Sequence, residues 1–267
     1  MTVAGSDPSG GAGIQQDIRV FTCLGLHACA AVTAITVQNT KGVEDVYPIP
    51  GDLVKRQVIA VFEDIRLKGI KIGMLATKDN VTHLAKALFH KDDAWVVADP
   101  VMRSKNNVVL LEKEAWRAYE EELLPLIDII TPNIHEASVM VSMELKSLTD
   151  IKMAAKTIYE KMVRLHGSKD RCGVYLKGGH IEDRQQSTDV FCYEGRLIVL
   201  RGKRIHNIHS HGTGCTLSSA LCAYLVLGKG PEAAARYAKE FVRRAIVAGF
   251  PLGKGIGPVD PLVCLKF

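Results

Sequence analysis

Residues 210–228 have the sequence SHGTGCTLSSALCAYLVLG, in which two closely spaced glycines lead into an apolar segment. Gly212 and Gly214 predict a tight turn. Leu217 and Leu221 recur with helical spacing, which predicts a helix directly after the turn. Such a junction directs backbone N–H groups and the positive end of the helix dipole at one point, which suits a phosphate or a developing anion.

Cys215 lies in the first turn of this predicted helix. A thiol ionises more easily near a helix N-terminus, so Cys215 is a candidate base. An anion site with a base inside it predicts phosphoryl transfer. A glycine turn followed by a core helix with a buried cysteine has the same local sequence, so the rest of the chain has to decide between the two.

The length and composition are typical of one large α/β domain covering residues 1–267. Hydrophobic residues make up 47% of the chain and charged residues 24%, which is ordinary for a globular protein. No run approaches the roughly 18 apolar residues that span a bilayer, and the first residues lack the features of a secretory signal. We therefore expect a cytoplasmic protein without a membrane partner.

The seven cysteines are scattered without a C-x-x-C pair, which argues against a zinc site and a disulfide framework. His206, His209 and His211 cluster before the glycine turn, but no carboxylate or cysteine stands near them at ligand spacing, which argues against a metal site there. The net charge of +5 is spread along the chain without a basic block. We therefore expect no nucleic-acid partner.

Short apolar runs alternate with amphipathic segments along the chain. Strands are predicted at residues 2–5, 28–37 (as a central strand), 70–74, 95–98, 127–131 and 173–176. Helices are predicted between them, among others at 116–124, 136–141 and 149–166. Residues 189–193 and 196–200 flank Glu194-Gly195 and predict a hairpin at an antiparallel edge. The pattern indicates a three-layer α/β/α fold with a mostly parallel central sheet and helices on both faces.

Ligands of such folds collect at the carboxyl ends of the strands, and the chain has polar and glycine-rich segments at those ends. The loop at residues 9–13 follows the first strand, and its glycines allow either a close backbone approach to a small ligand or only a tight turn. Lys177 ends a strand beside two glycines, where it would neutralise phosphate charge, although an ordinary surface lysine fits the same pattern.

Two further positions suit a nucleotide site. Asn133 and Glu136 stand three residues apart at a helix start, where they would hold a hydrated Mg²⁺ or else only cap the helix. Asp99, between a strand and Pro100, would organise Mg²⁺ or a triphosphate, or else form a turn. The G-x-x-x-x-G-K-[ST] and G-x-G-x-x-G nucleotide motifs are both absent, so an NAD-dependent enzyme is disfavoured.

Seven motifs in order along the chain carry a resemblance to a known family. They are AGSDPSGGAGIQQD at 4–17, VQN at 37–39, KIGML at 71–75, DPVM at 99–102, TPN at 131–133, KGGH at 177–180 and SHGTGCT at 210–216. With these motifs the chain resembles the hydroxymethylpyrimidine/phosphomethylpyrimidine kinases of thiamine biosynthesis, which belong to the ribokinase-like superfamily. The resemblance implies the ribokinase-like version of the three-layer fold.

The resemblance implies a homodimer that uses ATP and Mg²⁺ to phosphorylate 4-amino-5-hydroxymethyl-2-methylpyrimidine and then its monophosphate. The implied pyrimidine-binding residues are Gln38, Gly11, Ala12, Asp17 and Met74. The implied ATP-binding residues are Lys177, Thr213, Asn133 and Asp99, with Glu136 and Asn133 for Mg²⁺. Gly212 and Gly214 match the anion hole, and Cys215 matches the catalytic base. An amide such as that of Gln38 both donates and accepts hydrogen bonds, as the edge of an aminopyrimidine requires.

Two other functions stay open on the sequence. A pyridoxal kinase or a dual-specificity kinase of the same superfamily is compatible, because the Cys215 thiol can add reversibly to an aldehyde. A non-catalytic vitamin or nucleotide sensor is the second, although the residues that catalysis needs are present.

The superfamily more often has Asp at the place of Cys215, and the family usually has Thr at the place of Ser210. The segment His180–Ser187 is expected to form a mobile flap over the site.

Overall fold

A single mixed sheet forms the centre of the computed structural model, which describes residues 1–104, 106–167, 171–179 and 185–265. Its strands are β1 (Thr2–Ser6), β2 (Ala30–Asn39), β3 (Gly42–Pro48), β4 (Gly69–Ile72), β5 (Trp95–Ala98), β6 (Ile129–Ile130), β7 (Gly173–Leu176), β8 (Gln186–Tyr193) and β9 (Arg196–Lys203). Across the described part of the chain, their order in the sheet is β3-β2-β1-β4-β5-β6-β7-β8-β9.

The direction of the strands follows the predicted pattern. Neighbouring strands from β2 through β1, β4, β5 and β6 to β7 are parallel. Strand β3 is antiparallel at one edge, and β8 and β9 form an antiparallel hairpin at the other. The predicted mostly parallel sheet with an antiparallel edge hairpin is therefore confirmed.

Helices cover both faces of the sheet. They are α1 (Gly13–Cys23), α2 (Gly51–Phe62), α3 (Lys78–Leu88), α4 (Lys113–Ala118), α5 (Ile134–Val141), α6 (Leu148–His166), α7 (Thr213–Val226) and α8 (Pro231–Val247), and a short 3-10 turn follows at Pro261–Leu265. One apolar cluster joins the sheet to α2 through α6, and a second joins it to α1, α7 and α8. Together they give the predicted three layers.

Three local predictions differ from the structure. Strand β3 was not predicted, because its residues are mostly exposed and include two acidic residues and a proline instead of an apolar run. Strand β2 was expected to be central, but it is second from the edge and its outer neighbour is β3. The helix predicted at 116–124 begins earlier, as α4. It continues as a π-helical turn at Tyr119–Leu123 and a 3-10 turn at Leu124–Leu126.

Glycines allow two distant loops to meet above the carboxyl ends of the strands. Gly212 precedes α7 with a φ of +81°, and a Cβ there would lie 1.8 Å from the carbonyl oxygen of Gly11. Gly13 begins α1 with a φ of +57°, and a Cβ there would lie 2.3 Å from the carbonyl oxygen of Gly5. Because glycine has no side chain at either position, the start of α7 can pack directly on the loop after β1.

The expected flap and the possibility of a membrane-spanning helix remain to be compared with the structure. Of the predicted flap His180–Ser187, residues 180–184 lie outside the described residues, and Gln186 and Ser187 belong to β8. Among the described residues, the model contains no helix with the length and apolar character needed to cross a membrane.

Candidate active site

A cavity of about 230 Å³ opens at the carboxyl ends of the parallel strands. Eleven of the residues predicted for the site line it, namely Ala12, Gln38, Met74, Asp99, Asn133, Glu136, Lys177, Gly212, Thr213, Gly214 and Cys215. They come from seven separate segments of the chain. The fold therefore brings most of the predicted site to one place, as expected from the ends of parallel strands.

Gly11 and Asp17, both expected at the pyrimidine, do not line this cavity. Gly11 lies behind the ring of His211, where a Cβ would stand 2.3 Å from Cδ2 of that ring. Asp17 has no exposed surface. Its carboxylate accepts hydrogen bonds from the hydroxyls of Thr2 at 2.6 Å and Ser219 at 2.7 Å, and it pairs with the Lys71 ammonium at 2.8 Å. Asp17 is thus part of the interior beneath the site, because its position in α1 points it at β4 and α7.

The first turn of α7 forms one end of the cavity. Gly212 stands at the helix start, and Gly214 and Cys215 follow within the turn. N–H groups in the first turn of a helix have no partner carbonyl within the helix, and they carry the positive end of the dipole. Thr213 supports the turn, because its hydroxyl donates to the carbonyl oxygen of Ser210 at 2.8 Å. This end of the cavity is chemically suited to a phosphoryl group.

Cys215 differs from the expected activated thiol. Burial raises its pKa to about 11, and the nearby Lys71 ammonium only partly offsets this effect. Asp17 and Asp99 raise the pKa further, while a hydrogen bond from the backbone of Gly13 lowers it. The thiol is therefore protonated at neutral pH, because desolvation disfavours the anion more than the helix start and the ammonium favour it.

Lys177 and Asp99 form an ion pair beside this turn, with 2.6 Å between the ammonium and a carboxylate oxygen. Asp99 is almost fully buried and Lys177 is 18% exposed, so Lys177 is not an ordinary surface lysine. A Cβ on Gly214 would lie 3.2 Å from an Asp99 carboxylate oxygen. The absence of a side chain at Gly214 thus leaves the pair in direct reach of the α7 turn.

Asn133 and Glu136 form a capping box at the start of α5. The Asn133 side chain accepts from the backbone N–H of Glu136 at 2.9 Å, and the Glu136 carboxylate accepts from the backbone N–H of Asn133 at 2.8 Å. Burial raises the pKa of Glu136 to about 7; the Lys177 ammonium lowers it and the Asp99 carboxylate raises it. The capping alternative raised by the sequence is therefore the arrangement observed.

The acidic groups at this end also bear on metal binding. The described residues contain no group of three or more His, Cys, Asp or Glu side chains arranged to hold a metal ion. Mg²⁺ in kinase sites is usually held by one or two carboxylates, with phosphate oxygens and water completing its shell. A single buried carboxylate with a raised pKa, beside an amide oxygen, fits that limited role, because a cation would favour its ionised form.

The cavity is also lined by a polar cluster that the sequence did not predict. His211 Nε2 lies 2.8 Å from a carboxylate oxygen of Asp7 and 3.3 Å from the amide nitrogen of Gln38. Burial acts to raise the pKa of Asp7, but hydrogen bonds from His211 and Ser9 together hold it below its usual value. Asp7 and His211 are 204 positions apart, so no local pattern could have indicated their pairing.

Thr36, two residues before Gln38 on the same strand, also contacts the Gln38 amide. The sequence predicted that Gln38 follows this strand, but it lies inside β2. The Thr36 hydroxyl lies 3.2 Å from the Gln38 amide oxygen and 2.9 Å from the carbonyl oxygen of Ser6. Residues 36 and 38 point to the same face of the strand, so Thr36 and His211 hold the amide from two sides at the mouth of the cavity.

Comparison with known proteins identifies the family. A family model described as phosphomethylpyrimidine kinase matches residues 7–260. The chain belongs to the phosphomethylpyrimidine kinase family. It is 38% identical to the hydroxymethylpyrimidine/phosphomethylpyrimidine kinase of Haemophilus influenzae, over 97% of this chain and 95% of that protein. It is 39% identical to the kinase of the same name from Aquifex aeolicus, over 97% of this chain and 98% of that protein. The resemblance indicated by the sequence motifs is confirmed, and the chain is a phosphotransferase.

Solved structures of phosphomethylpyrimidine kinases and of pyridoxal kinases share the fold. An ADP complex of Bacillus subtilis pyridoxal kinase is 34% identical with a TM-score of 0.86, covering 100% of this chain and 98% of that one. The pyridoxal kinase of Staphylococcus aureus with AMP-PCP and pyridoxal is 32% identical with a TM-score of 0.86, covering 100% and 94%. The phosphomethylpyrimidine kinase of Clostridium difficile is 36% identical with a TM-score of 0.76, covering 92% and 97%. The ribokinase-like fold is thereby confirmed.

Proposed function

We propose that the protein phosphorylates 4-amino-5-hydroxymethyl-2-methylpyrimidine with ATP, and then phosphorylates the monophosphate to the pyrophosphate used for thiamine. One observation carries this proposal: the Gln38 amide and the glycine turn at Gly212–Gly214 line the same cavity. A ring held at the first group can present its hydroxymethyl group to a phosphoryl group bound at the second. Membership in the family supports the same reaction.

At the pyrimidine end, we propose that Gln38 binds the amino group and the adjacent ring nitrogen. An amide supplies the donor and the acceptor that this edge requires, whereas a carboxylate supplies only acceptors. Met74 and Ala12 line the same cavity and would contact the faces of the ring. Gly11 and Asp17 take no direct part in this proposal, because neither lines the cavity.

At the phosphate end, the N–H groups of the α7 turn would bind the transferring phosphoryl group. Lys177, held by Asp99, would neutralise charge on the ATP phosphates, and Glu136 with Asn133 would hold Mg²⁺. Mg²⁺, when bound, would neutralise negative charge on the phosphate oxygens. Because phosphoryl transfer depends mainly on alignment and charge neutralisation, these groups supply what the reaction requires.

We propose that Cys215 accepts the proton of the substrate hydroxymethyl group. Its protonation at neutral pH means that only a small thiolate fraction is active at any moment. As the substrate oxygen forms its bond to the terminal phosphorus, the bond from phosphorus to the ADP oxygen breaks and ADP leaves with the electron pair. The substrate proton passes to the sulfur.

A pyridoxal kinase activity is the second candidate. The pyridoxal kinases of Bacillus subtilis and Staphylococcus aureus match the whole chain with TM-scores of 0.86. The cavity also contains a thiol that can add to an aldehyde, so the fold and Cys215 are compatible with pyridoxal. The Gln38 amide, suited to an aminopyrimidine edge, favours the pyrimidine.

A coupled ADP-release assay with each substrate in turn separates the two candidates. We expect turnover with hydroxymethylpyrimidine and with its monophosphate, and a lower kcat/KM with pyridoxal. Phosphorylation of pyridoxal with no turnover of either pyrimidine would contradict the proposal. Tight ligand binding with no ATP consumption on any substrate would instead support a sensor.

We further propose a cytoplasmic homodimer that acts on a small molecule and has no nucleic-acid partner. The family resemblance supports the dimer, and the dispersed net charge of +5 supports the absence of a nucleic-acid partner. Light scattering coupled to gel filtration would give twice the mass of one chain. A monomer at all concentrations tested would contradict the assembly without affecting the proposed reaction.

A further inference from the structure

One face of β4 packs directly against α7, beneath the phosphate end of the cavity. Positions 69, 71 and 73 alternate onto this face. A Cβ on Gly69 would lie 2.5 Å from a methyl carbon of Val226 and 3.0 Å from the sulfur of Cys222. Side chains on this face of β4 therefore lie between the strand and the helix, and Lys71 is among them with no exposed surface.

On α7, Cys215 lies one turn before Ser219, and Ser219 binds the Asp17 carboxylate that pairs with Lys71. Residues four apart on a helix lie on the same face, so Cys215 and Ser219 are neighbours along α7. The Ser219 hydroxyl donates to one carboxylate oxygen of Asp17 at 2.7 Å. The other oxygen accepts from the Lys71 ammonium at 2.8 Å. The ion pair is thus joined to the helix that carries Cys215.

The Lys71 ammonium is directed toward the cavity end of β4. A Cβ on Gly73 would lie 2.9 Å from Nζ, so the ammonium occupies the space that a side chain at position 73 would fill. Lys71 also borders the cavity together with Cys215. An ammonium has three N–H donors, and within the described residues Asp17 is the acceptor hydrogen-bonded to it.

The Lys71–Asp17 pair keeps a charged lysine in the interior of the protein. Burial acts to lower the pKa of Lys71, but the charge and hydrogen bond of Asp17, together with the charge of Asp99, raise it, and the ammonium stays charged at neutral pH. A buried ion pair is weak evidence for stability, because apolar residues of similar volume often serve as well or better. Whatever its effect on stability, the pair places a positive charge beside the cavity.

We propose that Lys71 is a positioning residue for phosphoryl transfer: its buried ammonium, anchored by Asp17, stabilises the Cys215 thiolate that accepts the hydroxymethyl proton. This inference rests on the proposed function for its catalytic meaning. In the step itself the proton leaves the substrate oxygen for the sulfur, the oxygen bonds to phosphorus, and the ADP oxygen leaves with its electron pair. Lys71 neither gains nor loses a proton.

Four charged side chains lie around Cys215, and each is considered in the pKa change expected for its thiol. Lys71 approaches from β4, Asp17 from α1, Asp99 from the end of β5 and Lys177 from the end of β7. Of these, Lys71 has the largest effect on the pKa of the thiol. Removing the Lys71 charge should therefore disfavour the thiolate, and removing the Asp17 charge should favour it.

The test measures the rate at which iodoacetamide alkylates Cys215 at pH 8, followed by peptide mass spectrometry, without nucleotide or pyrimidine. Relative to the wild-type protein, Lys71→Met should react about tenfold more slowly and Asp17→Asn about tenfold faster, since tenfold corresponds to one pKa unit. The double variant should lie between wild type and Lys71→Met. Ser219→Ala, which removes a hydrogen bond to Asp17 but no charge, should react within about twofold of wild type.

A purely structural ion pair would give a different result. Damage to the packing would change both single variants in the same direction, and that outcome overturns the proposal, as does a folded Lys71→Met that reacts as fast as wild type. If Lys71→Met does not fold, the double variant, which buries no unpaired charge, is compared with Asp17→Asn. Equal rates in those two variants would also overturn the proposal.

Turnover supplies a second readout that separates this inference from the proposed function. Lys71→Met should lower kcat for the pyrimidine about tenfold with little change in KM, and raising the pH should restore part of the loss. If alkylation follows the expected order but the wild-type protein phosphorylates no pyrimidine, the proposed function fails while the charge effect of Lys71 on Cys215 stands. If turnover is present but alkylation is insensitive to both charges, the Lys71 inference alone fails.

Discussion

At Cys215, opposing effects act on one thiol. The helix start and the Lys71 ammonium favour the anion, whereas burial disfavours it and sets the pKa at about 11. The position of the cysteine was evident from the sequence, since it follows the glycine turn directly. The upward direction of its pKa shift was not evident, because that shift comes from burial, which only the folded chain produces.

Substitution of Cys215 tests its proposed role. Cys215→Ala should lower kcat by roughly 10²-fold or more, the usual contribution of a positioned base, while the Kd for the pyrimidine stays within about twofold. Steady-state kinetics and calorimetry measure the two quantities. Cys215→Asp, which restores a proton acceptor, should recover part of kcat. Near-normal turnover in Cys215→Ala would show that alignment alone is sufficient.

Gln38 is the residue on which the pyrimidine assignment depends. Gln38→Glu keeps the size of the side chain but removes its N–H donors, so the KM for hydroxymethylpyrimidine should rise about tenfold to a hundredfold, with a smaller effect on the KM for ATP. Steady-state kinetics in both substrates measure this. An unchanged pyrimidine KM would place the ring elsewhere in the cavity.

Glu136 links pH to stability. Its pKa is about 7 in the folded protein and near 4.5 in the unfolded chain, so between these values the folded state binds more protons. The free energy of unfolding therefore falls as pH rises from about 5 to 8, by at most about 3 kcal/mol. Glu136→Gln keeps the cap acceptor and removes the charge, so its denaturation curves should depend less on pH over this range. Equal pH dependence in both proteins would contradict the raised pKa.

At the scale of single elements, the start of α7 depends on close contact between two loops. The glycines were recognised as a turn in the sequence, but the contact of Gly212 with the carbonyl of Gly11 joins segments about 200 residues apart. Strand β3 is the converse case, because its pairing with β2 and not its composition makes it a strand.

Two glycines with the same backbone conformation separate the effect of this contact from that of conformation. Gly212 and Gly228 have φ values of +81° and +79°, but a Cβ on Gly228 would meet no atom within 4 Å. Gly228→Ala should cost about 1 kcal/mol of stability from backbone strain alone, and Gly212→Ala roughly 3 kcal/mol or more. Urea denaturation measures both. Similar losses would mean that the loop contact is not needed.

At the scale of the whole molecule, one sheet supplies both apolar clusters. Leu84 on α3 and Leu221 on α7 are fully buried on opposite faces. Because the two clusters share strands, residues 1–267 should unfold as one domain. Leu84→Ala and Leu221→Ala should each cost about 2–5 kcal/mol and shift a single calorimetric transition. Two separate transitions in either variant would contradict the single domain.

The sequence by itself determined the alternating strands and helices, the glycine turn before α7 and the family motifs. These depend on local spacing and on short segments, which a chain displays before it folds. Only the tertiary structure decided that Asp17 lies beneath the cavity, that burial raises the pKa of Glu136, and that His211 pairs with Asp7. Burial and charge pairing arise between residues brought together from opposite ends of the chain, and no local pattern encodes which of them will meet.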